Sequence, residues 1–167
     1  MMTVQNIINQ RKSIRQFREE TISLDMINNI VDAGRMSPSG RNGQEWEFIV
    51  VQEKELKEKF YEICYNQKCV KECDALIVVN SLVDNIMPNG QNQGTVNCSI
   101  ASAFMMLQIT EFGLGSVLLG HYNSDKVKEL LSIQEGMIVS ILAVGYPNEE
   151  GRVRKRKELS DITKYYL

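Results

Sequence analysis

Histidine is almost missing from this chain: His121 is the only one. With no second histidine and no obvious carboxylate partner for it, a His-centred acid–base relay is not expected, and His121 is not read as a general base. No apolar run approaches the length of a membrane span, and the N-terminus lacks the basic-then-apolar order of a secretory leader. A cytoplasmic location with no membrane partner is therefore expected. Neither sign of charge dominates, with 19 Lys and Arg against 21 Asp and Glu for a net charge of −2. Bulk electrostatics thus gives no support to a nucleic-acid partner. No G-x-G-x-x-G follows a strand, so a separate dinucleotide domain is not expected. Four cysteines remain, Cys64, Cys69, Cys73 and Cys98. Their C-x4-C-x3-C spacing matches neither zinc ribbons nor ferredoxins, so they are read as structural thiols and no metal site is assigned.

What is present is a normal globular balance, 43% hydrophobic and 24% charged over 167 residues. That length fits one domain, and a chain of this size buries roughly 70% of its unfolded surface. Residues 1–167 are taken as a single unit. Helices and strands alternate along it. Thr3 to Gln10 reads as a short helix, and Ser23 is a good N-cap for a helix from Leu24 to Arg35, which Pro38 keeps from continuing. A strand begins at Trp46, and a charged helix runs from about Glu53 to Cys64. The continuous apolar run Ala75 to Val79 is expected to be a strand covered on both faces. Residues 82–95, rich in Asn, Gly and Gln, form the one long irregular segment. Val96 to Phe112, apolar almost all round, reads as a central buried helix ended by Gly113-Leu114-Gly115. A short strand or turn over Ser116 to Gly120, a helix capped by Ser124 and running to Leu131, and a strand from Met137 to Val144 follow. The tail after Pro147 is polar and basic.

Two segments carry chemistry. Arg11-Lys12-Ser13-Ile14-Arg15 gathers cations and a hydroxyl as a phosphate requires. Ser37-Pro38-Ser39-Gly40-Arg41-Asn42-Gly43-Gln44-Glu45-Trp46 is too polar for a core and sits at a strand entry, where exposed N–H groups can grip a polar ligand. Singly, each has an ordinary structural use, as a solvated helix end or a plain turn. Gly113-Leu114-Gly115 alone is a helix C-cap, and Arg152 to Lys157 alone is a surface charge run.

Taken in order, these segments, with Phe48-Ile49-Val50-Val51, Glu111 to Ser116, Val144-Gly145-Tyr146-Pro147 and Arg154-Lys155-Arg156, closely resemble the nitroreductase family of FMN-dependent oxidoreductases. The resemblance spans residues 11 to about 162. It implies an α+β fold of three layers, a mixed central sheet flanked by helices, and a long buried central helix at a homodimer interface, with FMN bound between subunits. It also implies a ping-pong reaction in which NAD(P)H reduces the flavin and a nitroaromatic, quinone or similar small acceptor reoxidises it. The chemistry lies at the flavin N5, so no protein side chain is assigned as catalytic.

The resemblance also assigns positions. Arg11, Lys12, Ser13 and Arg15 match the motif that holds the phosphate and ribityl chain or nears the pyrimidine edge, and Arg154 and Arg156 match phosphate positions in the tail. Pro38, Ser39, Gly40 and Asn42 match the loop closing over the flavin from the other subunit, with Gln44 beside it. Asn66 matches a flavin-side asparagine. Leu119 and Gly120 match the turn whose N–H groups face N5 and O4. Glu45 stands where the family usually has proline. Three alternatives stay open: a flavin-binding storage or sensing protein, a dehalogenating or rearranging branch of the family, and a dimerisation domain without flavin.

Overall fold

The structure is a computed structural model and describes residues 3–167. Seven helices and four strands appear among them in the order α1 (Val4–Gln10), α2 (Leu24–Arg35), β1 (Trp46–Val51), α3 (Lys54–Ile63), α4 (Lys68–Glu72), β2 (Ala75–Ser81), α5 (Gln93–Glu111), β3 (Gly115–Leu119), α6 (Ser124–Leu131), β4 (Met137–Gly145) and α7 (Leu159–Ile162). The helix starts follow capping chemistry. Thr3, Ser23 and Asn92 each accept a hydrogen bond from the backbone N–H three residues on, which satisfies an orphan donor of the first turn.

The sheet order is β1-β2-β4-β3 and every named pair is antiparallel. The expected mixed character is confined to one parallel bridge, Ser13 to Ser116, on the outer edge of β3. Helices cover both faces. On one, Leu76, Val78, Val117, Leu119 and Ile141 pack with Phe60, Ile63, Val70 and Val127 from α3, α4 and α6. On the other, Ala75, Ile77, Val79, Leu142 and Val144 pack with Ile27, Ile30, Cys98, Met105 and Ile109 from α2 and α5. Every residue of β2 is buried, which is why its sequence runs apolar without alternation. The three-layer α+β arrangement is therefore present.

Several boundaries differ from those the sequence suggests. The central helix starts at Gln93, because Asn92 supplies the cap that the polar composition of 82–95 concealed. Its buried side is also less apolar than its composition suggests: Asn97 and Ser102 are buried, and the Ser102 and Ser140 hydroxyls lie 2.9 Å apart. The cap of α6 is Asn123, whose Oδ1 accepts from the Lys126 N–H, and Ser124 is the first helical residue. The short α4 and α7 were not anticipated, since five- and four-residue helices show no periodicity.

The segment before α2 is fastened by close packing. Ile14 and Phe17 are buried. A Cβ placed on Gly115 would sit 2.8 Å from Ile14 Cβ, and one on Gly145 2.8 Å from Phe17 Cδ1. The two glycines are the seats of those side chains. Gly145→Ala is expected to cost about 1–3 kcal/mol by overpacking, read as a lowered urea midpoint. A midpoint equal to wild type would show that Phe17 relocates freely.

All four cysteines are free and buried. Burial, with the neighbouring Cys69 second, pushes the Cys64 thiol up from 9.0 to about 12. Burial also pushes Cys73 to about 12 and Cys98 to about 11. The unfolded chain would release these protons near the ordinary value, while the folded chain retains them. Stability is thus fully present below pH 9 and falls as pH rises toward 12. The urea midpoint should drop between pH 8 and pH 10.5, and Cys73→Ala should flatten that drop.

Candidate functional site: a cationic cleft and two flanking turns

The chain after β4 turns back along the segment preceding α2. Arg18 N–H donates to Tyr146 O at 2.9 Å and Asn148 N–H to Gln16 O at 2.9 Å. On the other side Ile14 N–H donates to Ser116 O at 2.9 Å. Residues 13–18 are therefore held between the start of β3 and the segment that leaves β4. The Glu149 carboxylate accepts from the backbone N–H groups of Arg15 and Gln16. Gly151 then reverses the tail at φ 71°, packed so tightly that a Cβ there would lie 2.8 Å from Ile14 Cδ1 and 3.1 Å from Lys12 Cβ. That turn lays residues 152–156 opposite residues 11–15.

The result is an open cleft of about 600 Å³ lined by Arg11, Lys12, Ser13 and Arg15 from one end of the chain and Arg152, Arg154 and Arg156 from the other. No carboxylate is among its lining residues. Lys12 Nζ donates to Glu150 O at 3.1 Å. None of the three ion pairs among the described residues involves a cleft cation. Like charges gathered this way repel, and packing, not ion pairing, holds them together. The donor set, guanidinium forks, an ammonium and a hydroxyl, suits a phosphate monoester. Six of the sequence-assigned residues thus come together. Arg152 was not assigned, and Glu149 and Gly151, which shape the cleft, gave no signal because each is an ordinary loop residue until its partner is known.

A second group assembles at the far end of β3. The stretch from Ser116 to Gly120 covers about 13 Å at roughly 3.3 Å per residue. Leu119 is buried and ends the strand, while Gly120 is exposed and an added Cβ there would meet nothing within 4 Å. Asn66 lies close by. Gln67 Nε2, from the same turn, donates to His121 O at 2.8 Å and to Cys64 O at 3.0 Å, and the Tyr65 and His121 rings are 4.3 Å apart. The turn after α3 and the turn after β3 are clamped together by Gln67, which sequence reasoning missed. Beyond the Ser13 bridge no further strand pairs with the outer edge of β3 among the described residues, so that edge is free to offer backbone donors.

The loop over residues 37–44 stands apart from the cationic cleft within this chain. It contains a 3-10 turn, Gly40–Asn42, and three non-glycine residues in the left-handed region: Arg41 at φ 53°, Asn42 at 55° and Gln44 at 52°. Gln44 N–H donates to Ser39 Oγ at 3.1 Å and Gln44 Nε2 to Asn42 O at 3.3 Å. From α5 below, Asn97 Oδ1 accepts the Gly40 N–H at 3.2 Å. Asn97 Nδ2 and Ser37 Oγ are buried without a hydrogen-bond partner. Pro38 is exposed and Ser39 half-buried. Glu45, in the usual proline position, accepts from Gln93 Nε2 at 3.0 Å and so ties the loop to the start of α5. Gly40, Arg41 and Glu45 face Val83, Asp84 and Asn85 across a different cleft, of about 550 Å³.

These features have parallels in known proteins. The sequence profile of the Nitroreductase family matches residues 8–83 and 65–146. A protein of Methanothermobacter thermautotrophicus named "Putative NADH dehydrogenase/NAD(P)H nitroreductase" is 32% identical over 158 residues, covering 92% of this chain and 82% of that one. Iodotyrosine deiodinase of Daphnia pulex is 29% identical over 194 residues, covering 95% of this chain and 64% of the other. The crystal structure of a nitroreductase family protein from Clostridium difficile 630 superposes with a TM-score of 0.84 at 26% identity, covering 100% of this chain and 99% of that one. With its profile matched over most of its length and its layers those of solved relatives, the chain belongs to the nitroreductase family.

Proposed function

We propose that this protein is an FMN-dependent NAD(P)H oxidoreductase, one domain per chain, acting as a homodimer in the cytoplasm on a nitroaromatic, quinone or similar small acceptor. The observation that carries the reading is the convergence of Arg11, Lys12 and Arg15 with Arg154 and Arg156 on one cleft free of carboxylates. A dianionic phosphate fits that donor set, and a neutral ligand would leave its mutual repulsion uncompensated.

Bound there, FMN supplies two-electron chemistry between a nicotinamide and an acceptor that occupy the same place in turn. The chain's own residues bind and orient. The arginines and Ser13 hold the phosphate end, and Asn66, Leu119 and Gly120 border the ring end. Pro38, Ser39, Gly40, Asn42 and Gln44 come from the second subunit and cover the ring. A cation of the first motif, were it to lie near the pyrimidine edge, would favour the negatively charged reduced form of the group.

Two observations support the dimer. Ile100, Ala103, Phe104 and Leu107, spaced as one stripe of α5, are exposed or half-buried, with Phe104 40% exposed. The tail ends in exposed Tyr165, Tyr166 and Leu167. Free buried thiols suit the reducing cytoplasm. The deiodinase relative favours a second reading, reductive dehalogenation by the same flavin.

The purified protein should be yellow and release FMN on denaturation. NADH or NADPH should bleach it, and menadione or nitrofurazone should restore the colour. A colourless protein that takes up no added FMN would sink the reading. Colour restored by iodotyrosine, and by neither menadione nor nitrofurazone, would favour dehalogenation. Bleaching that no acceptor reverses would leave a storage or sensing role.

Arg11→Ala and Arg156→Ala should each weaken FMN retention by about 1.5–3 kcal/mol, the worth of a charge-assisted hydrogen bond. Equilibrium dialysis reads that as roughly a 10- to 150-fold rise in Kd. Unchanged retention in both variants would show that the cleft is not the phosphate site.

A further inference from the structure

The turn after α3 holds a bulky aromatic residue where the backbone suits it least. Tyr65 is at φ 53° and Asn66 at φ 59°. Glycine commonly takes this place just past a helix end, and asparagine tolerates it, but a tyrosine is held there against its backbone preference. Nor is the strain offset by burial, since Tyr65 is 52% exposed. Its ring instead lies 4.3 Å from that of His121 at an interplanar angle of 31°.

His121, also exposed, is fixed through its backbone. Gln67 Nε2 donates to its carbonyl at 2.8 Å, and two residues on Asn123 N–H donates to Ile63 O at 3.1 Å. The two rings are therefore carried on tied backbone, paired with each other and open to solvent. Strained residues of this kind cluster at ligand clamps. Exposed aromatic rings on tied backbone favour stacking on another flat ring, because less conformational entropy is lost on contact.

Resting on the flavin reading above, Asn66 and Gly120 border the ring end of the site, and Tyr65 and His121 are their immediate neighbours in the chain. We propose that the Tyr65–His121 pair is the platform on which a planar aromatic electron acceptor stacks. The pair thereby makes the enzyme selective for flat aromatic acceptors over compact inorganic oxidants. Neither ring carries the fixed cation or the amide that a dinucleotide's phosphates and carboxamide call for, so the donor, held chiefly through those groups, depends on the pair far less than an acceptor that offers only its flat ring.

The test is stopped-flow kinetics on the holoenzyme, with each half-reaction followed separately through flavin absorbance. Tyr65→Asn, which suits the left-handed backbone, and His121→Asn should each raise the half-saturating menadione concentration about three- to ten-fold, the range expected for one lost aromatic contact. Tyr65→Phe and His121→Phe should keep wild-type values. Reoxidation by ferricyanide, which cannot stack, and reduction by NADH or NADPH should be unchanged in all four. A merely structural pair would shift every oxidant together.

An unchanged menadione value in both Asn variants overturns the proposal, as does an equal loss toward ferricyanide or toward the nicotinamide. A yellow, reducible protein with either result sinks only the platform. A colourless wild type sinks the flavin reading and the platform with it.

Discussion

The seating of Ile14 on Gly115 and Phe17 on Gly145 is the contact on which the rest of the site depends. Burying an isoleucine and a phenylalanine contributes on the order of 1.5–3 kcal/mol each, more than an exposed ion pair delivers. That apolar anchor lets Arg11, Lys12 and Arg15 be held side by side without a counter-charge. It also couples three stretches far apart in sequence. Ile14 N–H pairs with Ser116, Phe17 bridges Pro147, and Gly151 closes onto Lys12 and Ile14. The glycine-containing motifs before β3 and at the end of β4 are therefore seats for the first motif as well as turns. Loss of any one loosens the cleft walls.

A consequence concerns the division of the site. The cationic cleft and the turns at the end of β3 lie along one strand edge. The loop over residues 37–44 rests on Asn97 of α5 and borders a different cleft. A single mononucleotide touching both groups has to receive the loop from a second copy, which is how the proposed dimer completes the site. The stripe from Ile100 to Leu107 lies on the same helix as Asn97. Subunit contact and loop support are then functions of adjoining parts of one side of that helix, since Asn97 and Phe104 lie seven residues, or about two turns, apart. A largely apolar helix with a polar residue beneath the loop is what that double duty requires: Asn97 holds the loop, while Ile100, Phe104 and Leu107 remain for the neighbour.

Much of this was legible in the residues themselves. The continuous apolar run of β2 declared a strand covered on both faces. The largely apolar α5 declared a central helix, whereas the cations near both ends of the chain, each run ordinary by itself, were joined only by the family resemblance and line one cleft in the structure. Legibility failed where a role depends on a partner distant in sequence. Gln67 looks like a surface amide until the His121 carbonyl is found 2.8 Å away. Gly151 and Glu149 look like tail residues until residues 12–16 are found packed against them. The start of α5 was misplaced because Asn and Gly dominate 82–95, and composition does not separate a loop from the cap that ends it. The Asn123 cap was missed because Ser124, also a good cap residue, stands beside it.

Backbone strain concentrates in two of the segments that the proposed site uses. Among the described residues six non-glycine positions have positive φ: Arg41, Asn42, Gln44, Tyr65, Asn66 and Ser132. Ser132 is the C-cap of α6, an ordinary place for a left-handed residue. The other five fall in two segments, 41–44 and 65–66, which the flavin reading uses from opposite subunits. Each such residue costs on the order of 1 kcal/mol relative to a relaxed conformation. Strain of that size persists only where surrounding contacts enforce it, here Asn97 and Ser39 for one segment and Gln67 for the other. Both turns are thus set in advance, so a ligand that meets them does not bear the cost of ordering them. That pre-organisation suits the proposed flavin site, in which one flat partner replaces another.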